Sequence, residues 1–328
     1  MADHNHPLIS IAMPTCNRAD SYLRQAIQSA VAQTYPNIEI IVSDNCSTDN
    51  TEQLVKSFND SKIRYFRQSK NIGMVPNSNF CLDEAKGAYF ILLHDDDLLD
   101  HDFVSNCMNA VNDDTNIGII LTGARVIDEE GTMISEDTNK AGGCSTTDLV
   151  LCWFKHEVPL YCCNTLYNTK GLKELGGFKS KTNLYEDCAA LFLLAAKYGR
   201  KDIPTVNASF RRHSHNTGTA VPIKDWCEDS LYLLNIMCNL SKDEKELLRQ
   251  KGLRYFCRQT YHYTKFKKMR SRIERCYTYW LVYKTFEYVY SPIQYLFGER
   301  FFSKNFAHLV LSSLKRKIKG VWFRAPAQ

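Results

Sequence analysis

Short apolar runs and polar loops alternate along the first hundred residues, and the spacing of apolar positions switches from strand-like to helix-like between them. Leu8 to Met13 is a short apolar run closing at Pro14, and beyond it Leu23, Ala26, Ile27, Ala30 and Val31 recur at helical spacing. The pattern predicts a strand, a turn and a helix. Ile38 to Ser43 repeats the strand, the polar stretch Asp44-Asn45-Cys46-Ser47-Thr48-Asp49 follows, and Leu54, Val55 and Phe58 again fall at helical spacing. Ile63 to Phe66 is a third candidate strand and Ser78 to Ala85 a helix, and Tyr89 to Leu93 is a strand running straight into His94-Asp95-Asp96-Asp97. Alternation of this kind predicts an α/β layer around a mixed, mainly parallel sheet flanked by helices.

After Ile117 to Leu121 the pattern loosens, and the Gly- and Thr-rich stretch 138 to 147 reads as a mobile loop. Regularity returns at Glu186-Asp187, which open the helical run Cys188 to Tyr198 closed by Gly199. From about residue 221 strand patterns fade, and helices rich in aromatic and basic residues replace them. The expected organisation is an α/β domain over 1–220 followed by a helical C-terminal region over 221–328.

Composition narrows the class. A hydrophobic fraction of 44% with 23% charged residues suits a soluble globular chain of 328 residues. No window reaches the roughly 18 to 20 uninterrupted apolar residues of a spanning helix, and Met1 to Pro7 is short and polar, unlike a secretory leader. A cytoplasmic location is expected. The 13 cysteines are scattered, with Cys81, Cys107 and Cys152 in apolar surroundings, and are read as reduced thiols. Neither Cys162 with Cys163 nor Cys144 with Cys152 has zinc-site spacing, so a structural metal is not expected. Charge is divided: residues 242 to 328 carry 20 Lys and Arg against 6 Asp and Glu, whereas the first 241 carry 21 against 30.

Ligands of parallel sheets bind outside the carboxyl ends of the strands, where the polar loops 14–18, 44–49 and 94–97 all fall. Three adjacent carboxylates there concentrate charge that suits Mg2+ or Mn2+, able to neutralise a departing diphosphate; the alternative is a solvated acidic turn capping the helix that begins near Asp102. Glu186-Asp187 at a helix start gain about 0.3 to 1 kcal/mol from the helix dipole without any chemistry, yet an ionised carboxylate there can also accept a proton from a hydroxyl. Phe210-Arg211-Arg212-His213-Ser214-His215 could hold phosphate oxygens or complete a metal shell, or form an exposed basic strand end. Taken singly, these residues leave each pair of readings open.

Taken in order, they resemble a family. Ile9-Ser10-Ile11-Ala12-Met13-Pro14-Thr15-Cys16-Asn17-Arg18, then Ile41-Val42-Ser43-Asp44-Asn45-Cys46-Ser47-Thr48-Asp49, then Asn71-Ile72-Gly73, Asn79, Ala85-Lys86-Gly87, Asp95-Asp96-Asp97, and Gly176-Gly177-Phe178 before Glu186-Asp187 are similar to the motifs of family 2 nucleotide-sugar glycosyltransferases of the GT-A fold. The resemblance covers residues 8 to 218. It implies nucleotide binding within 1–100 and acceptor binding within 101–220, with Pro14, Thr15, Asn17, Arg18, Asn71 and Gly73 lining the nucleotide pocket and Asp44 on the base. It implies that Asp95 and Asp96 touch the nucleotide, that Asp97, Asp95 and His213 hold Mn2+ or Mg2+, and that Arg211 and Gly177 contact diphosphate or acceptor. Asp187, beside Glu186, becomes the base for an inverting displacement on a nucleoside diphosphate sugar, a UDP-sugar by family habit.

His94 stands where the family often has aspartate, which leaves the choice of ligand among Asp95, Asp96 and Asp97 open, with Asp97 favoured. The polymer-synthase sequence Gln-x-x-Arg-Trp is absent, which favours addition of one sugar over processive synthesis. The acceptor implied is a glycan or polyprenyl-linked saccharide of bacterial surface-polysaccharide assembly, O-antigen or capsule. Within 253–328, Lys265-Phe266-Lys267-Lys268-Met269-Arg270-Ser271-Arg272 and Leu314 to Arg324 mix cations with large apolar groups, a pattern that suits peripheral contact with an anionic membrane on the cytoplasmic face. Packing on the catalytic domain or a homodimer contact are the other readings of this region; nucleic acid is not expected, since no recognised module accompanies the charge. Two other functions compete. A nucleotidyltransferase making nucleotide sugars needs a glycine-rich loop that Pro14 to Arg18 lack, and a non-catalytic membrane-surface scaffold is disfavoured by the intact Asp95, Asp96, Asp97 and Asp187.

Overall fold

A computed structural model describes residues 6–213, 221–241, 243–265, 267, 269 and 271–297. Ser214, His215, Phe266, Lys268, Arg270 and the stretch Leu314 to Arg324 lie outside the described residues. The chain divides into two compact units, Met1–Thr219 with Glu228–Gly252, and Ala220–Cys227 with Leu253–Gln328.

In the first unit β1 (Ile9–Thr15), β2 (Ile38–Asp44), β3 (Ile63–Arg67) and β4 (Tyr89–Leu92) pair in parallel, linked by α1 (Leu23–Val31), α2 (Thr51–Lys56) and α3 (Met74–Glu84). Then follow β5 (Leu98–Leu99), α4 (Phe103–Ala110), β6 (Ile119–Ile127), β7 (Met133–Asp137), α5 (Thr146–Phe154), β8 (Thr165–Asn168), α6 (Thr169–Glu174), α7 (Glu186–Tyr198) and β9 (Arg200–Arg211). The sheet order is β3-β2-β1-β4-β8-β6-β9-β5, with β7 on β6. β8 runs antiparallel between β4 and β6, β9 lies parallel to β6, and β5 and β7 are antiparallel to their partners. The result is the mixed, mainly parallel sheet flanked by helices that the hydrophobic alternation anticipates.

β1, β2 and β4 are buried along their whole lengths, which is why they read as short apolar runs rather than as two-residue alternation. Pro14 sits in β1 without costing a ladder bond. The β1–β4 pairing ends at Ala12 opposite Leu92, with Leu93 N–H donating to Ala12 O at 2.9 Å, while Thr15 O accepts from Asn45 N–H on the β2 side. The Pro14 nitrogen thus faces the side that β4 has already left. Leu23, Ala26, Ile27 and Ala30 of α1 are buried, matching their spacing.

Three elements depart from the sequence expectation. α3 begins at Met74 rather than Ser78, because Pro76 lies in its first turn, where no backbone donor is missed. The 138–147 stretch is pinned rather than loose: buried Asn139 donates to Leu121 O and Asp202 Oδ1, both at 3.0 Å, and Ser145 with Asp148 forms a capping box that starts α5. β9 is a long strand, 12 residues, and not a basic end.

Two helices, α8 (Ile223–Cys238) and α9 (Lys245–Thr264), contribute residues to both units, and α10 (Arg272–Thr285) and α11 (Pro292–Phe297) belong to the second. Within the second unit Trp226 stacks on Tyr263 at 4.0 Å, and Phe256, Tyr261, Val282 and Phe286 are buried. No described helix is long and apolar enough to cross a membrane.

Candidate active site

The loops that leave β1 and β2 are laced together at the carboxyl end of the sheet. Asn17 holds a left-handed backbone (φ 55°), which asparagine tolerates; its N–H donates to Ser47 Oγ at 2.8 Å and its side-chain oxygen accepts Thr48 N–H at 2.7 Å. Asp44 is fully buried, accepting Ser47 N–H at 2.7 Å and the Tyr65 hydroxyl at 2.6 Å. Asn45, to which the motif assigned no role of its own, ties in the third loop: it donates to Asn71 Oδ1 at 3.0 Å and Gly73 O at 3.2 Å, and accepts Ile72 N–H at 2.8 Å. Gly73 has φ 95°, a conformation that disfavours any side chain. Pro14, Thr15, Asn17, Arg18, Asp44, Asn71 and Gly73 therefore belong to one connected set of loops.

The aspartate run after β4 splits its members between two jobs. Asp95 turns towards β1, accepting Thr15 Oγ1 at 2.7 Å and lying 3.8 Å from Arg18 Nε. Asp97 is fully buried; Oδ1 accepts Arg211 N–H at 2.8 Å, and Oδ2 finds no strong hydrogen-bond donor. Burial, reinforced by the Asp96 charge, pushes Asp95 up to about 6 and Asp97 well above the carboxylate range. His94, Asp96 and Asp97 each offer a ligand atom, all within 4.8 Å of one another. A buried carboxylate oxygen without a strong donor, beside a second carboxylate and an imidazole, fits a divalent cation. The resemblance implies Asp97, Asp95 and His213 as ligands, and the group whose candidate ligand atoms lie together is His94, Asp96 and Asp97. Asp95 is turned to Thr15 and Arg18, and His213 Nε2 lies 2.8 Å from Asp96 Oδ2, against that group.

Arg211, implied by the resemblance as a contact for diphosphate or acceptor, is enclosed by the fold. It is almost wholly buried, and its guanidinium donates to the carbonyls of Asp96 (2.9 Å), Asp128 (3.1 Å) and Glu129 (3.2 Å) and to Gln25 Oε1 (2.8 Å), with Tyr22 against its face. These donors are turned into the protein, so Arg211 braces the aspartate turn. Gly177 likewise serves packing: at φ 76° its Cβ would overlap Asn79 Oδ1, and Asn79 clamps Phe178 through N–H (2.8 Å) and C=O (2.9 Å) bonds. Gly177 N–H is taken by Leu172 O, which leaves it no donor for a ligand.

Glu186 and Asp187 open α7 and are held by a residue that the sequence did not single out. Asp229, fully buried on α8, accepts five hydrogen bonds: Ser180 Oγ (2.7 Å) and the amides of Lys181 (2.7 Å), Thr182 (3.0 Å), Leu184 (2.8 Å) and Tyr185 (2.9 Å). One carboxylate thus gathers the whole loop before α7. Asp229→Asn replaces an acceptor oxygen by a donor facing N–H groups, and is expected to destabilise the fold by about 1 to 3 kcal/mol. Urea denaturation measures this, and an unchanged midpoint would show that the loop is held otherwise.

Burial, then the Asp187 charge, pushes Glu186 up to about 8 from its ordinary 4.5, and its Oε2 is buried without a partner. The folded chain keeps a proton that the unfolded chain releases, so this contribution to stability falls as pH rises from about 4.5 towards about 8. Glu186→Gln is expected to remove that slope and to exceed wild-type stability above about pH 8 by more than about 1 kcal/mol. Denaturation midpoints of both proteins near the two ends of the window check it; parallel pH profiles would refute it.

Asp187 Oδ1 accepts Cys188 N–H at 2.7 Å, and Oδ2 accepts the Cys162 thiol at 3.3 Å. The next residue, Cys163, is buried, and burial followed by the Asp97 charge pushes its thiol well above the usual range. The short helical turn Cys162–Asn164 thus brings a weak donor to Asp187.

A GT-A layer with loops gathered at its carboxyl end, a carboxylate cluster after β4 and a further carboxylate on α7 defines the nucleotide-sugar glycosyltransferase class. The chain belongs to glycosyl transferase family 2, which matches residues 10–176. It is 41% identical over 131 residues, 39% of this chain, to an uncharacterised glycosyltransferase of Rickettsia felis. It is also 33% identical over 135 residues, 40% of this chain, to a chondroitin synthase of Escherichia coli. It spans 21% and 19% of the lengths of those two relatives. The fold is similar to residues 1–349 of S. aureus TarS in complex with UDP-GlcNAc, with a TM-score of 0.63 over 84% of this chain and 81% of that one, at 16% identity.

Proposed function

We propose that the protein transfers a single sugar from a UDP-sugar to a hydroxyl of a glycan or lipid-linked saccharide, with inversion at the anomeric carbon. The observation that supports this reading most directly is the group His94, Asp96 and Asp97 after β4, whose candidate ligand atoms lie within 4.8 Å of one another in a chain of glycosyl transferase family 2. The connected loops bearing Pro14, Thr15, Asn17, Arg18, Asp44, Asn71 and Gly73 receive the nucleotide, with Asp95 at its ribose end. Asp187 takes the proton of the acceptor hydroxyl as that oxygen attacks the anomeric carbon from the face opposite the departing diphosphate. Protonated Glu186 stands beside it without competing for that proton. When bound by His94, Asp96 and Asp97, Mn2+ or Mg2+ supplies positive charge against the diphosphate. The TarS complex with UDP-GlcNAc supports a uridine nucleotide, and the chondroitin synthase supports a glycan acceptor.

Thermal denaturation with UDP tests the reading. In the presence of Mn2+, UDP at a hundredfold excess over Kd is expected to add about 2.7 kcal/mol of stability, and with chelator the gain should vanish. A folded protein that responds to no nucleoside diphosphate under either condition would instead be a non-catalytic scaffold.

For the second unit we propose contact with an anionic membrane. Ile273, Tyr277 and Trp280 form an exposed stripe at helical spacing on α10, and Lys265, Lys267, Lys268, Arg270 and Arg272 precede it in the sequence. Sedimentation with phosphatidylserine-rich vesicles, but not with neutral phosphatidylcholine vesicles, is expected; no sedimentation with either would exclude it.

A further inference from the structure

We propose that the end of the sheet opposite the nucleotide loops carries a second ligand site, a cationic cleft that takes the phosphate group of a small polar molecule. The observations behind it are independent of the transferase reading above.

The cleft, of about 850 Å³, lies within the first unit. The turn 85–88 ahead of β4 forms one wall, and residues 168–171, where β8 passes into α6, form another. Tyr89 of β4 pairs with Asn168 of β8, so both walls stand at the amino end of β4, whereas Asp95, Asp96 and Asp97 follow its carboxyl end. The walls are fastened to each other and to the start of β1. Ala88 N–H donates to Leu8 O at 2.7 Å, Gly87 N–H to Ser10 Oγ at 2.9 Å, and Thr169 N–H to Ala88 O at 3.0 Å. Asn168 braces the second wall, its Nδ2 donating to Thr115 O at 2.7 Å and its Oδ1 accepting Gly171 N–H at 2.8 Å. A concavity tied in this way is formed before any ligand arrives.

Its lining is cationic. Lys86, Lys170 and Lys173 face one carboxylate, Glu174, among the described lining residues. Glu174 is already engaged by the Tyr198 hydroxyl and by Lys197 Nζ at 3.3 Å, contacts that hold its carboxyl below the usual range and offset its charge. Lys173 Nζ donates to Ala85 O at 2.9 Å and Asp83 O at 3.2 Å, carbonyls that leave its positive charge uncompensated. Neither the Lys86 nor the Lys170 ammonium has a hydrogen-bond partner among the described residues, and both side chains are exposed. Thr169 adds a hydroxyl that the fold leaves over: the residue is 5% exposed at the cleft wall, and its Oγ1 has no partner.

Ammonium groups act as point charges and suit phosphate, whereas no arginine lines the cleft to fork onto a planar carboxylate. The apolar side chains in the lining are Ala85, Ala88 and Tyr198, too few to bury a lipid chain, so the body attached to the phosphate is polar. Free phosphate and a phosphorylated sugar share this chemistry.

Isothermal titration of the full chain with chelator present tests the cleft, using inorganic phosphate, glucose 6-phosphate and glucose as probes. Both phosphates are expected to bind and glucose is not. The double variant Lys86→Gln/Lys170→Gln is expected to weaken phosphate binding about tenfold, and Thr169→Val about threefold. Arg18→Ala, in the nucleotide loops, should bind both phosphates like wild type. Tighter binding of glucose 6-phosphate than of inorganic phosphate supports a phosphosugar as occupant, and equal binding supports the free ion. The proposal is overturned if neither phosphate binds, if glucose binds as tightly as glucose 6-phosphate, or if the double lysine variant binds like wild type. Loss of binding in Arg18→Ala alone would place the anion in the nucleotide loops and overturn it as well.

Discussion

Asp187→Asn is expected to lower sugar transfer by about 10²- to 10⁴-fold while leaving UDP binding and the denaturation midpoint near wild type. The substitution is isosteric, and the amide oxygen can still accept the Cys188 N–H that Asp187 Oδ1 takes at 2.7 Å. Its NH2 group would face the Cys162 sulfur, a tolerable neighbour, and Asp187 is only half-buried, so little packing is at stake. What disappears is the lone pair that accepts the hydroxyl proton. Single-turnover transfer from UDP-sugar, with UDP affinity measured in parallel, separates the two. A variant retaining more than about a tenth of wild-type turnover would place the base elsewhere.

Asp97→Asn should move stability and function in opposite directions. Asp97 is fully buried, its Oδ2 lacks a strong donor, and Asp96 stands beside it, so the charge is a burden on the metal-free fold. The asparagine keeps the oxygen that receives Arg211 N–H and removes the repulsion. Metal-free protein is therefore expected to gain about 1 to 3 kcal/mol, while transfer falls by about 10²- to 10³-fold and UDP no longer stabilises the protein in a Mn2+-dependent way. Urea denaturation with chelator and thermal shifts with Mn2+ and UDP measure the two sides. A variant that is less stable without metal, or that keeps its Mn2+ response, would remove Asp97 from the cation site. Such opposition between stability and activity is usual where like charges are held together for chemistry.

Much of this was legible in one dimension. The 14–18, 44–49 and 94–97 loops could be placed at one end of the sheet because apolar runs preceding polar loops define strand ends locally. The capping box at Ser145 and Asp148 was also readable, as a short Ser-x-x-Asp motif, and the glycine-rich surroundings obscured it. Asp229 carried no local mark. An acidic residue in the first half of a helix is usually solvated, and nothing nearby announces that five donors of the 180–185 stretch will close on it. Arg211 looked like an exposed basic strand end because the run Arg211-Arg212-His213 is polar, yet the side chain is buried among carbonyls.

The sequence alone determined the α/β alternation, the family resemblance over 8 to 218 and the residue types available to the site, since periodicity and motif order are properties of contiguous residues. Tertiary structure decided which of those residues serve together. β9 pairs with β5 and with β6, and this brings Arg211 onto the turn at Asp96 and Asp97, more than a hundred positions away. The same sheet fastens the Cys162–Asn164 turn to β6, and so brings the Cys162 thiol to Asp187. Local spacing cannot express these choices, because hydrogen-bond partners and the direction of a buried side chain follow from long-range pairing. That is why the mutual approach of His94, Asp96 and Asp97 is visible only in the fold.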